Sequence, residues 1–177
     1  MDLFEALKKR RAIREFTEDP LSDEIISKLV YAASRASTGN NAPYRRILVV
    51  RDWKTIRLIK QLSPGILGLP TALIVIFTEM DIANELGKLG NICSTIDAGA
   101  AAENVALAAA SMGIGACFTR SYSEAGVKEI LDIPDNCRTE LMLQLGHPKR
   151  EQPPPLRPRA GADAVYLNRY GLRWESK

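Results

Sequence analysis

Residues 91–112 constrain the fold more than any other stretch. They form the longest helical pattern in the chain, with alanines at 100–102, 106 and 108–110. A helix that is apolar nearly all round belongs inside a domain, and its small side chains let another helix approach closely. The other elements must therefore be arranged around it, unless part of its surface meets a second subunit. Asp97, Glu103 and Asn104 interrupt the stretch, which leaves no run near the ~18 clean apolar residues of a membrane span. Gly113 supplies the stop.

Around this helix the patterns are shorter. Asp2 can cap a first helix, with Glu5 as a capping-box partner and Phe4 and Leu7 on one face; it ends near Arg10 or Arg11. Ser22, Asp23 and Glu24 open a second helix over 23–35, striped by Ile25, Ile26, Leu29, Val30 and Ala33. Strands are expected at 47–50, 72–77, 114–118 and 139–145, and helices at 53–62 and 124–131, while 81–90 reads as a short helix and turn. The proline-rich 151–159 can form neither a regular helix nor an inner strand. It reads as an extended arm ending in the aromatic 164–174. Strands and helices alternate only loosely, which implies an α+β layered domain.

A chain of 177 residues, 46% of them hydrophobic, suits one domain spanning 1–177 with 151–177 as the arm. Such a domain buries about 70% of its unfolded surface. The net charge of +3 gives no general case for nucleic acid. Three cysteines at 93, 117 and 137, with no CxxC pair and one histidine, His147, argue against a zinc site and favour a reducing, cytoplasmic interior. The start, MDLFEALKKRR, places its charges after its apolar residues and is not read as a signal peptide. Neither GxGxxG nor GxxxxGK[ST] is present.

Three polar clusters ask for an explanation. In KKRRAIREF, residues 8–16, Arg10, Arg11 and Arg14 can surround one small polyanion while Ile13 and Phe16 anchor the segment. The loop ASTGNNAPY, 36–44, has little intrinsic structure. Arg157 and Arg159 lie in the arm. Singly, a solvated helix end, an ordinary turn and a basic tail would explain them.

As an ordered set they resemble the flavin-dependent nitroreductases. RRAIREF is similar to that family's opening RRSIRxF, and ASTGNNAPY to its PSxxNxQPW. The stretch from Asp97 to Gly115 is similar to its D-x-G-x-A-x-x-N helix ending in GxG, and Gly146-His147-Pro148 to its G-Y-P. The resemblance implies an α+β homodimer: a central mixed or antiparallel sheet flanked by helices, a C-terminal arm exchanged between subunits, and FMN at each of two interface sites. By position, Arg10, Arg11, Ala12 and Arg14 would contact the phosphate, ribityl chain and ring edge. Ser37, Thr38 and Asn40 would come from the other subunit. Thr119, Arg120 and Ser121 would bring backbone to the ring, and Arg157 or Arg159 would complete the phosphate clamp. The implied activity is NAD(P)H-dependent reduction of a small acceptor, such as a nitroaromatic or quinone, by a ping-pong cycle. A flavin carrier or sensor without turnover is the alternative, and the basic clusters taken alone would also fit an acidic protein or nucleotide. Departures are Ala12 for serine, Ala42 for glutamine, Tyr44 for tryptophan, and a short 77–91 span that implies an open site.

Overall fold

The computed structural model describes residues 1–150 and 165–174. In chain order these form α1 (Leu3–Lys9), α2 (Asp23–Ser34), β1 (Arg45–Val50), α3 (Trp53–Gln61), β2 (Ala72–Glu79), α4 (Met80–Glu85), α5 (Gly87–Ser111), β3 (Gly115–Thr119), α6 (Glu124–Ile130) and β4 (Cys137–Gly146). The four strands make one antiparallel sheet in the order β1-β2-β4-β3. The expected elements are present, with ends shifted by a few residues, as frayed ends allow.

Helices cover both faces of the sheet. On one, Ile74, Ile76, Leu143 and Leu145 pack against Leu29 and Ala33 of α2 and Ala98, Ala101, Ala102, Val105 and Ala109 of α5. On the other, Leu73, Val75 and Met142 meet Ile56 and Ile59 of α3 and Val127 of α6. The central strands β2 and β4 are thus apolar on both sides. The alternation of Leu141, Leu143 and Leu145 marks only which face they take, because the intervening Met142 and Gln144 are buried as well.

The short helix and turn expected over 81–90 are α4 and Leu86, after which α5 begins earlier than expected, at Gly87 with φ +62°. Within the single chain the long helix is not enclosed all round. Its buried residues are Gly90, Ser94, Asp97, Ala98, Ala101, Ala102, Val105, Ala106 and Ala109. On its other side Leu89, Ile92 and Ile96 are 68%, 57% and 63% exposed in the single chain. In α1 the Asp2 carboxylate accepts from Glu5 N at 2.8 Å. Glu5 pairs with Lys9 at 3.8 Å, and only Ala6 is buried, leaving Phe4 and Leu7 exposed. Within 165–174 the chain closes a small turn on itself through a Tyr166–Arg173 bridge.

Candidate functional site

The arginine segment starts where α1 stops. Arg10 N donates to Ala6 O at 2.8 Å, and the Arg10 backbone then turns extended, with ψ at 134°. The chain runs beside β3 and the end of β4: Ala12 bridges Ala116 in parallel and Phe16 bridges Pro148. Ile13 N donates to Ala116 O at 3.0 Å, Thr17 N to His147 O at 2.9 Å, and Lys149 N to Glu15 O at 3.0 Å. Ile13 and Phe16 are buried, as their apolar character predicts, whereas Arg14 is exposed. Glycines make room for this segment. A Cβ on Gly115 would stand 2.7 Å from Ile13 Cγ2, one on Gly146 would stand 2.9 Å from Phe16 Cδ1, and one on Gly68 would overlap the Arg14 carbonyl.

The three arginines sit differently. Arg10 is largely buried and its Nε lies 2.7 Å from Glu103 Oε1 of α5. Arg11 Nε reaches Lys9 O at 3.4 Å. Arg14 lies against the Cys117 thiol. Burial pushes that thiol's pKa up, and the charge and hydrogen bonding of Arg14 act in the opposite direction. A groove of about 690 Å³ opens here. Lys8, Lys9, Arg10, Arg11 and Arg150 bring positive charge to it, Glu5 a carboxylate, and Ile13, Ala106, Ala110, Ile114 and Ala116 an apolar floor. Arg150 grips Glu15 with two nitrogens, at 2.7 to 3.1 Å.

At the far end of β3, Thr119 is buried and its hydroxyl oxygen accepts from Gln144 Nε2 at 2.5 Å. Ser121 O accepts from Gly65 N at 3.1 Å. Arg120 is exposed and stacks 5.3 Å from the centre of the Tyr122 ring. Beside them is a second cavity, of about 630 Å³, lined by Thr95, Phe118, Thr119, Arg120, Arg138, Glu140 and Leu141. The sequence reading missed the ion pair here. Buried Glu140 accepts from Arg138 at 2.7 Å and from Thr78 at 2.7 Å. Arg138 also holds Asn91 at 3.0 Å, Ser94 at 2.9 Å and Thr95 at 3.1 Å, fixing the start of α5 to the sheet. A glutamate inside the apolar run 139–145 was the available signal, since a buried carboxylate needs a partner.

The 36–44 loop is more ordered than its composition suggests. A 3-10 turn spans Gly39–Asn41, and Asn40 and Asn41 take left-handed φ of 56° and 52°, which asparagine tolerates better than most residues. Asp97 of α5 organises the loop, accepting from Gly39 N at 2.7 Å and from the buried Tyr44 hydroxyl. Burial, with the Asp97 carboxylate, pushes the Tyr44 phenol well above its ordinary pKa. Arg45 donates to Ala36 O at 2.7 Å and Ser37 O at 3.2 Å. Ala42 faces no opening, because it is buried with Tyr44 and Ala83. Ser37 and Asn40 are exposed and Thr38 is half-buried.

Within one chain, then, the expected residues fall into separate groups. Arg10 and Arg11 line the first cavity, Thr119 and Arg120 line the second, and neither contains a residue of the 36–44 loop. The loop holds α5 at Asp97 and Arg10 holds it at Glu103, about 9 Å apart along the axis and on different sides of the helix. Arg157 and Arg159 lie outside the described residues.

The comparisons with known proteins agree on the fold. An FMN-dependent nitroreductase from Clostridium difficile superposes with a TM-score of 0.81 at 22% identity, covering 93% of this chain and 98% of its own. An NADPH:FMN oxidoreductase from Vibrio harveyi, solved with NAD+, gives 0.82 at 26% identity, covering 95% and 77%. An NADPH-dependent oxidoreductase from Staphylococcus aureus is 28% identical across 93% of this chain and 72% of its own. The sequence model of the nitroreductase family matches residues 7–72 and 62–147, so the chain belongs to the nitroreductase family.

Proposed function

We propose that the protein is an FMN-dependent oxidoreductase that uses NAD(P)H to reduce a small organic acceptor, such as a nitroaromatic or quinone, by a ping-pong cycle. The observation that carries this reading is the arginine segment fastened along β3 beside a groove with cations at its rim and an apolar floor. That donor set fits a phosphorylated aromatic cofactor: guanidinium forks match phosphate oxygens, and the apolar wall suits a ring. Bound FMN would supply the two-electron chemistry that the side chains lack.

The chain's own residues would bind and orient it. Arg10 and Arg11 would donate to the phosphate, with Ala12 contributing backbone only and Arg157 or Arg159 completing the clamp. Arg10 would do so beside Glu103, already held in place by that pair. Arg14 would place positive charge at the ring edge, where it favours the electron-rich state. A backbone N–H from 119–121 would hold the ring from the other side.

The working unit is proposed to be a homodimer formed on the exposed Leu89, Ile92 and Ile96 face of α5. Ser37, Thr38 and Asn40 of one subunit would close the site of the other, which accounts for their separation from the arginines within one chain. Residues 1–177 would act as one domain, with 151–177 as an arm laid on the partner. Three free thiols are in keeping with a cytoplasmic setting.

The test is direct. The purified protein is mixed with FMN and its visible spectrum recorded, then reduced anaerobically with NADH and with NADPH, and reoxidised with a panel of acceptors. Rapid bleaching followed by acceptor-dependent recovery is expected. No flavin spectrum would refute the cofactor, and bound flavin that neither nicotinamide bleaches would identify a carrier.

A further inference from the structure

We propose that Lys60 is a positioning residue: it fixes the spacing between Arg14 and the 119–121 segment, and so the geometry of the flavin site. The inference rests on the FMN reading above but adds a residue that lies outside the arginine segment and the ring-contact strand.

Lys60 is in the last turn of α3, and its ammonium donates to three consecutive carbonyls, Ile66 at 3.1 Å, Leu67 at 2.9 Å and Gly68 at 2.6 Å. A lysine has three N–H donors, and here all are spent on one turn. Three adjacent carbonyls aimed at one point repel one another unless a cation sits there, so the curvature of the turn depends on this charge.

The two ends of that turn touch the two halves of the site. At one end Gly65 N donates to Ser121 O at 3.1 Å, while Gly65 O accepts from Gln144 Nε2 at 3.1 Å. The same Gln144 nitrogen donates to Thr119 at 2.5 Å. At the other end Gly68 lies flat against the Arg14 carbonyl, with no room for a side chain. Ile66 between them is buried. The turn is therefore a spacer whose length Lys60 sets, with Arg14 on one side and 119–121 on the other.

The experiment compares wild-type holoprotein with Lys60→Met, which keeps the aliphatic stem and removes the donors. FMN affinity is measured by fluorescence titration, and the midpoint potential of the bound flavin by dye equilibration, both well below each protein's unfolding temperature. Misaligned charge-assisted hydrogen bonds lose most of their worth, about tenfold or more in binding for each. The expected result is therefore an FMN dissociation constant raised about tenfold or more, together with a displaced potential. A role confined to stability would lower the melting temperature and leave both readouts of the folded protein unchanged; that result overturns the proposal. If Lys60→Met does not fold, Lys60→Gln is judged by the same two readouts. A wild type that binds no FMN would instead sink the functional reading on which this one stands.

Discussion

The site's dependence on close backbone approach can be measured at Gly115. A Cβ there would stand 2.7 Å from Ile13 Cγ2, 3.0 Å from Ile13 Cβ and 3.1 Å from Phe16 Cε1, where ordinary contact begins near 3.4 Å. Both neighbours are the buried anchors of the arginine segment, and Ile13 is tied to Ala116 through its backbone N–H. Gly115→Ala must therefore push the segment off β3 by about half an ångström, and overpacking of this kind costs about 1–3 kcal/mol. Because Ile13 lies between Arg11 and Arg14, the displacement passes to both. A displaced guanidinium loses much of a charge-assisted hydrogen bond worth about 1.5–3 kcal/mol, so FMN affinity should fall about tenfold. Urea unfolding gives the stability change and fluorescence titration the affinity. Leu67→Ala is the control: Leu67 is 68% exposed, so stability should stay within about 0.5 kcal/mol. If Gly115→Ala matches the wild type in both measurements, the glycine does not fit the segment to the sheet and the account of the site fails.

Other outcomes follow from the same contacts. Arg11→Ala removes one phosphate donor and should weaken FMN binding about tenfold or more, the worth of one charge-assisted hydrogen bond; an unchanged titration counts against the clamp. Tyr44→Phe leaves the Asp97 oxygen with one donor fewer and should cost about 1–3 kcal/mol at neutral pH. The raised Tyr44 pKa means the folded state holds this proton more tightly than the unfolded chain does. Its stabilisation is thus complete below the ordinary phenol value of about 10 and is lost as pH rises beyond it. Unfolding midpoints taken across that alkaline range should fall more steeply in wild type than in Tyr44→Phe, and parallel slopes would reject the assignment. Ile92→Asp with Ile96→Asp should convert a dimer to a monomer in light scattering, whereas an unchanged mass would exclude that face of α5 as the interface.

Much of the scaffold was legible in the sequence, for physical reasons visible at particular residues. The apolar runs of β2 and β4 and the stripe of α2 identify themselves by period, and Asp2 and Ser22 each cap the helix they precede. The anchoring of Ile13 and Phe16 was legible too, since two apolar residues inside a basic run have to go somewhere. What stayed hidden were contacts between residues far apart in the chain. Nothing local in Asp97 says that it collects Gly39 and Tyr44, and nothing in Arg138 says that it ties Glu140 to the start of α5. The outer face of α5 is not marked in the sequence, because an alanine-rich helix looks alike from every side, while in the fold Leu89, Ile92 and Ile96 collect on one. Residues 37–41 looked unstructured because their order comes from α5 and Arg45 and not from their own propensities.

The seat of Gly39 has a practical consequence. Its α-carbon rests on the Cys93 side chain so closely that an added methyl would stand 3.0 Å from the sulfur. Cys93 is half-buried, while Cys117 and Cys137 are buried outright. The chain therefore carries its own reporter: Cys93 shares a helix face with Leu89, Ile92 and Ile96, so a maleimide reaches this thiol faster when the glycine lifts away while that face is uncovered, and the other two sulfurs add little background. Labelling kinetics with and without cofactor would register how firmly the 37–41 loop is seated, with no engineered probe.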